Sequence, residues 1–291
     1  MYYKTSGYKW FSVGNHILLG IISLMCILPL FHILAVSLSD KAAVSANLVN
    51  FWPVDFTMDA YHKVISNRDF SSSLWNSVMR VVLGTAVSML LVILAAYPLS
   101  KDSGVLKGRN AIAWYFVFTM LFSGGMIPSY ILMSKLHLIN HMGALILPGA
   151  VNVWNMILLM NFFRNVPKEL EEAALMDGAN HMVTLFRIFL PISLPALVTL
   201  SLFTLVGHWN SWFDGLIYMR QDNYPLATYL QTIIVETNLV NLINSASDMD
   251  KITQRSFKAA QIFIAALPVI VLYPFLQRFF VKGMVLGAVK E

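Results

Sequence analysis

The chain has 291 residues, of which 57% are hydrophobic and only 12% charged, with a mean hydropathy of +0.66. Soluble domains run nearer ~45–50% apolar and ~25% charged, so a water-soluble domain is excluded, as is intrinsic disorder, which needs the opposite balance. The net charge of +5 comes with no basic stripe interleaved with aromatics, which argues against nucleic acid, and the single cysteine, Cys26, excludes an intrachain disulfide.

A bilayer core takes roughly twenty apolar residues in helical form. Six segments qualify in turn: His16–Leu38, Ser77–Leu99, Ala111–Met133, Gly143–Phe162, Leu194–Ile217 and Ala259–Val281. They are too long for strands and do not alternate, so the expected fold class is all-α, a polytopic membrane protein with six transmembrane helices. The first segment follows Lys4 and Lys9 and contains the small residues Ala35-Val36-Ser37, as a signal peptide does. It exceeds the ~7–15 residues of a signal-peptide core, so an uncleaved helix is expected. In the third segment, Leu121-Phe122-Ser123-Gly124-Gly125-Met126 looks superficially like an ATPase signature. Inside an apolar span it reads as a helix break or a close helix contact.

Orientation follows the basic residues. One set of loops and ends holds Lys4 and Lys9; Lys101, Lys107 and Arg109; Arg164, Lys168 and Arg187; and Arg278, Lys282 and Lys290. The alternate loops hold fewer, balanced by Asp55, Asp59, Asp69, Asp222, Asp248 and Asp250. Both termini are therefore expected in the cytoplasm, with large outer loops at 39–76 and 218–258 and one large inner loop at 163–193.

That inner loop has its own design. Pro167 suits the start of a helix, Glu169, Glu171 and Glu172 suit its positive end, and Ala173 and Ala174 favour helix. Gly178 ends it, Asn180 is placed to cap a second amphipathic helix to Phe189, and Pro191 closes that one before the fifth span. Asp177 is equally suited to cap the second helix or to face a partner. By itself the loop also fits a helical hairpin lying on lipid headgroups.

The spacing Glu172-Ala173-Ala174, three residues, Gly178, nine residues, Ile188, one residue, Leu190-Pro191 resembles the EAA motif of ABC-importer permeases. Gly125-Met126-Ile127-Pro128, Trp154-Asn155-Met156 and His208-Trp209-Asn210-Ser211-Trp212 extend the likeness over about 16–291. The chain is similar to the shorter partner of the maltose-type carbohydrate-uptake pair, in the lipoprotein and polysaccharide or oligosaccharide branch. The resemblance implies a tail at 1–15 and a permease domain at 16–291, whose loop 163–193 carries a coupling helix that docks on an ATPase. Glu172 then meets a basic residue of that ATPase, Ala173 and Ala174 allow close approach, and Gly178, with Leu190 and Pro191 beyond it, shapes the turn. The implied partners are an ATPase dimer, a second homologous permease and an extracytoplasmic solute-binding protein. ATP and magnesium belong to the ATPase, and this chain needs no cofactor of its own. The implied location is a bacterial cell membrane and the implied cargo a sugar or oligosaccharide.

Polar groups in spans are costly and mark a pathway or a helix contact. Asn155, Trp209, Asn210, Trp212 and Asp214 are the substrate-pathway candidates, with Asn210 and Asp214 one turn apart. Amide, carboxylate and indole suit a sugar's hydroxyls and C–H faces; an interfacial aromatic belt is the competing reading. Asn76 and Arg80 pose the same choice in the second span. His137 and His141 are too few for a metal site. No phosphate loop, H-E-x-x-H or G-x-S-x-G occurs, so no catalysis is expected. A secondary transporter acting without an ATPase is the alternative; it predicts internal repeats and intramembrane charge.

Overall fold

The computed structural model describes residues 6–102, 104–243, 255–272 and 274. Regular structure among them is helical, with one isolated bridge between Ser39 and Phe56. The helices are α1 (Ser6–Ser37), α2 (Lys41–Ser45), α3 (Asp59–Ser66), α4 (Arg68–Ser100), α5 (Arg109–Leu121), α6 (Met126–Lys135), α7 (Met142–Ile146) and α8 (Val153–Arg164). Then come α9 (Lys168–Met176), α10 (His181–Thr184), a π-helical turn (Leu185–Phe189), α11 (Leu190–Ile192), α12 (Leu194–Asn210), α13 (Phe213–Tyr218) and α14 (Leu226–Ile243). The last described helix is α15 (Arg255–Leu272). The far end of the expected sixth span, its basic tail and residues 244–254 of the 218–258 loop lie outside the described residues.

Among the described residues, three helices, α1, α4 and α15, are individually long and apolar enough to cross a bilayer. Further crossings among them are bent pairs: α5 with α6 at 110°, Met142–Gly149 with α8 at 50°, and His181–Ile192 with α12 at 83°. The third expected span is thus not one helix. The thirteen residues of α5 reach about 20 Å, short of the ~30 Å hydrocarbon layer. The chain breaks at Gly125, whose φ of 87° and ψ of 174° suit glycine alone. A Cβ there would meet nothing within 4 Å, so the glycine serves the break and not a close contact.

Two compact units share the chain, Met1–Ser71 with Thr232–Pro268, and Ser72–Gln231 with Val269–Glu291. In the first, the loop after α1 is folded around polar contacts. Asp40 caps α2 by accepting from Ala42 N at 2.9 Å, and Ser37 Oγ lies 2.7 Å from Tyr61 Oη. Ala35, Ala43, Val44 and Val49 form a small core beneath.

In the second unit α4 is the central rod. Its buried positions recur at helical spacing: Ser77, Arg80, Gly84, Ser88, Val92, Ala96 and Leu99. Lipid is as apolar as leucine, so close packing and polar contacts hold membrane helices together. The N-terminal half of this face is small and polar, and its C-terminal half apolar. Val92, Ala96 and Leu99 pack with Met156, Leu159 and Phe163 of α8 and Leu200 of α12.

Candidate functional site

The segment expected to couple the chain to a partner forms a helix, a turn and a helix. Pro167 stands at the N-cap of α9, one position earlier than expected. Glu169 and Glu171 occupy the first turn, where acids complement the helix dipole. Gly178 adopts φ +82°; its N–H donates to Leu175 O at 3.0 Å, and Ala179 N donates to Ala174 O at 2.9 Å. Those two bonds are the Schellman closure that a C′ glycine permits. Asn180 then caps the next helix, accepting from Val183 N at 2.9 Å, while Asp177 stays exposed at the end of α9. Glu172, Ala173 and Met176, the last 88% accessible, are exposed along α9.

Pro191 does not end the second helix as expected; the helix continues to Ile192. A proline ring clashes with the carbonyl four residues back. Here the turn before it is widened, with Leu190 N donating to Leu185 O five residues back, which makes room for the ring. The direction change falls instead at the buried Ser193 between Ile192 and α12.

Two ion pairs hold α9 to the residues that follow α4. Lys168 Nζ lies 2.6 Å from Asp102 Oδ2, with both side chains well exposed. Lys101 Nζ lies 2.7 Å from Glu171 Oε1 and is only 8% accessible. The Lys101 ammonium is also 4.1 Å from the Tyr97 ring centre and 4.0 Å from that of Phe189. Burial pulls its pKa below the usual lysine value, and Glu171 partly restores it. Tyr97, Phe163 and Phe189 stack edge to face at 5.1–6.2 Å, joining α4, α8 and the π turn. Sequence reasoning placed Lys101 among the inner basic residues and Glu171 at the start of the helix but missed that they pair. The available signal was a lysine one turn after a tyrosine at the end of an apolar helix.

The fifth span also differs from expectation. The helix α12 ends at Asn210, Ser211 turns extended (φ −71°, ψ 120°), and α13 begins at Phe213. Asn210 and Asp214 therefore lie on different helices and share no face. A break at membrane depth frees carbonyls that need donors. Arg80 Nη1 donates to Ser211 O at 3.0 Å, and Thr228 Oγ1 donates to Trp212 O at 2.8 Å. The Arg80 guanidinium also grips Asp214 with both nitrogens, Nη1 to Oδ1 at 3.1 Å and Nη2 to Oδ2. Asp214 Oδ1 accepts further from Ser211 Oγ at 2.8 Å and Gly215 N at 2.9 Å.

The remaining candidates divide by burial. Trp209 is buried, and Asn155 is buried with its amide donating to Thr204 Oγ1 of α12 at 3.1 Å. Asn210 and Trp212 are exposed beside the break. Asn140 pins the turn after α13, accepting from Arg220 N at 3.0 Å and Asn223 Nδ2 at 3.2 Å. Its neighbour His137 sits in a turn at φ 55°. Among the described residues no three His, Cys, Asp or Glu side chains gather as metal ligands.

Long, bent and broken apolar helices, with a capped helical hairpin held to the residues after α4, define a multi-pass membrane protein of the permease class. A family model described as the binding-protein-dependent transport system inner membrane component matches residues 5–286, and the chain belongs to that family of transport permeases, which are not enzymes. It is 40% identical over 270 residues to the polygalacturonan/rhamnogalacturonan transport system permease protein YtcP of Bacillus subtilis (strain 168), covering 92% of this chain and 94% of that one. Protein LplC of the same organism is 38% identical over 289 residues, covering 99% and 97%. A solved bacterial ABC transporter involved in importing the acidic polysaccharide alginate has a chain that superposes with a TM-score of 0.83 at 32% identity, covering 95% of this chain and 98% of that one.

Proposed function

We propose that this chain is one of two homologous membrane subunits of an ATP-driven importer. An extracytoplasmic binding protein delivers an oligosaccharide, and an ATPase dimer docks on α9 and supplies ATP and magnesium. Both termini and the 163–193 loop face the cytoplasm. The observation that carries this reading is the outward face of α9, where Glu172, Ala173 and Met176 stand exposed on a helix closed by Gly178. A rigid helix end with a free carboxylate and small neighbours is suited to seat in a cleft bearing a basic residue. Two relatives, one named for polygalacturonan and one for alginate, support a cargo rich in uronic acids. Asn210 and Trp212 are the candidates to meet it, because Asp214 is committed to Arg80. The turn pinned by Asn140 starts the 218–258 loop and offers a fixed edge to the binding protein.

Affinity purification of this chain from its native membrane tests the assembly. An ATPase and a second multi-pass subunit are expected; recovery of the chain alone, with uptake intact, would replace the importer with a secondary transporter. For the cargo, uptake of radiolabelled trigalacturonate should lose apparent affinity in Trp212→Ala. An unchanged rate and affinity would assign Trp212 to the interfacial belt.

A further inference from the structure

The two glutamates at the heart of α9 face different ways. Glu172 is exposed, while Glu171 turns inward to Lys101. Taking an ammonium out of water is costly, and the cost is offset only by an opposite charge and by aromatic faces. Lys101 has both: Glu171 at 2.7 Å, and the rings of Tyr97 and Phe189 at 4.1 and 4.0 Å. The second pair, Lys168–Asp102, is solvated on both sides, and such pairs contribute little. Lys101 thus makes the buried polar contact between α9 and the end of α4, and removing either partner leaves the other charge uncompensated.

In its N-terminal half α4 carries Arg80, buried against Asp214 and Ser211 O at the break between α12 and α13. Twenty-one positions separate Arg80 from Lys101, about 30 Å along a helix. The helix runs unbroken from Arg68 to Ser100. The chain thus carries one buried ion pair just past the C-terminus of α4, holding α9, and another in the N-terminal half of α4, holding the α12–α13 break.

We propose that Lys101 is a positioning residue that makes α9 and α4 one mechanical body, so that displacement of α9 is carried along α4 to the Arg80–Asp214 contact. This rests on the reading of α9 as the ATPase-docking helix. Without Lys101, α9 can rock on the exposed Asp102–Lys168 pair while α4 stays still. Coupling between distant sites needs a demonstrated two-state element and not mere intermediacy, so the test reads movement at the far end directly.

The whole transporter is purified with its native partners through this chain, in a Cys26→Ser background, and reconstituted in lipid nanodiscs. Spin labels at Val78→Cys and Leu216→Cys report the distance between α4 and α13, on either side of the Arg80–Asp214 contact, by pulsed electron resonance. Adding ATP should shift that distance. Lys101→Ala and Glu171→Ala should each abolish the shift while ATP hydrolysis continues, the double variant should be no worse, and Lys101→Arg should retain the shift. A shift that persists in Lys101→Ala, or none in the parent chain, overturns the proposal. A second arm does not depend on removing the pair. Lys101→Cys and Glu171→Cys are joined by a short, reducible bis-thiosulfonate reagent, and the same distance is read from fluorescent lanthanide tags at positions 78 and 216. The joined transporter should keep both the shift and hydrolysis; loss on joining, restored by dithiothreitol, means that the two helices must part, and overturns it. Glu172→Ala separates the underlying reading: if it leaves the shift intact, α9 is not the docking helix. If it removes the shift and Lys101→Ala does not, only the link through Lys101 fails.

Discussion

Arg80 and Asp214, 134 positions apart, meet in a two-pronged ion pair beside a broken helix. Arg80 is 2% accessible and Asp214 remains a quarter exposed. Arginine's planar fork allows one side chain to grip the carboxylate and still donate to the freed Ser211 carbonyl.

The asymmetry of exposure predicts an asymmetry of cost. Breaking a buried pair from one side leaves an uncompensated charge, at about 3–5 kcal/mol. Asp214→Ala strands the buried guanidinium and should approach that loss. Arg80→Ala strands a carboxylate that water can reach and should cost less. Arg80→Met with Asp214→Leu should recover much of the stability, because neither charge is left. Melting in detergent, followed by fluorescence-detected size exclusion, reads all three variants against the parent; equal losses in the two single variants would contradict the burial argument.

Gly84 lets α4 approach α12 beside this pair. A Cβ at Gly84 would stand 2.6 Å from His208 Nε2. Overpacking of this kind costs about 1–3 kcal/mol. Gly84→Ala should lower the melting temperature, and adding His208→Ala should restore it. Failure of the second change to rescue the first would place the clash elsewhere.

The two ion pairs under α9 should respond differently to pH. Asp102 is held below its ordinary pKa, first by the hydrogen bond from Lys168 and then by its charge. Its stabilisation is present above the unfolded value of 3.8 and is lost as pH falls through the depressed folded value. Lys168 is raised by Asp102, so its share holds below 10.5 and is lost as pH rises through the raised value. Neither titrates near neutrality, where salt alone should weaken the pair. Lys101 has the opposite sign: burial lowers its pKa. Between that lowered value and 10.5 the unfolded chain binds more protons, so stability rises with pH. Lys101→Met should remove that alkaline rise and Lys168→Met should not, in melting curves taken from pH 7 to 10.5.

Gly178 has nothing within 4 Å of where its Cβ would be, so any penalty there comes from the backbone. At φ +82° a residue with a Cβ costs about 1–2 kcal/mol. Gly178→Ala should destabilise by that amount and Gly178→Asn by less. In the proposed importer Gly178→Asp should lower transport and substrate-stimulated ATP hydrolysis while the chain stays in the membrane. Full transport at normal assembly would end the idea of α9 as a lever.

What was legible in the sequence was local. The apolar runs around α1, α4 and α12 define helices, because composition alone sets their solvent. The turn at Gly178 and the cap at Asn180 are readable because their signals lie within a few residues of each other. The break at Gly125 was legible as one of two readings of residues 121–126, whereas the break at Ser211 was not placed. Long apolar runs look continuous, and what stabilises the second break comes from Arg80 and Thr228, far away in the chain. Pro191 misled for a related reason, since a widened turn upstream accommodates it. The Arg80–Asp214 pair had a usable signal: one arginine within a span and one acid near another are each too costly to leave alone.

The distance in sequence between those partners sets an order of events at synthesis. A ribosome adding ~5–20 residues per second needs roughly 7–27 s to travel from Arg80 to Asp214. During that time α4 has left the ribosome and its counter-charge does not yet exist. A guanidinium near a span's end can reach toward headgroups and water while it waits. The nascent second span is thus least settled in the bilayer just when later helices are being delivered, and it comes to rest only once the acid from the fifth arrives.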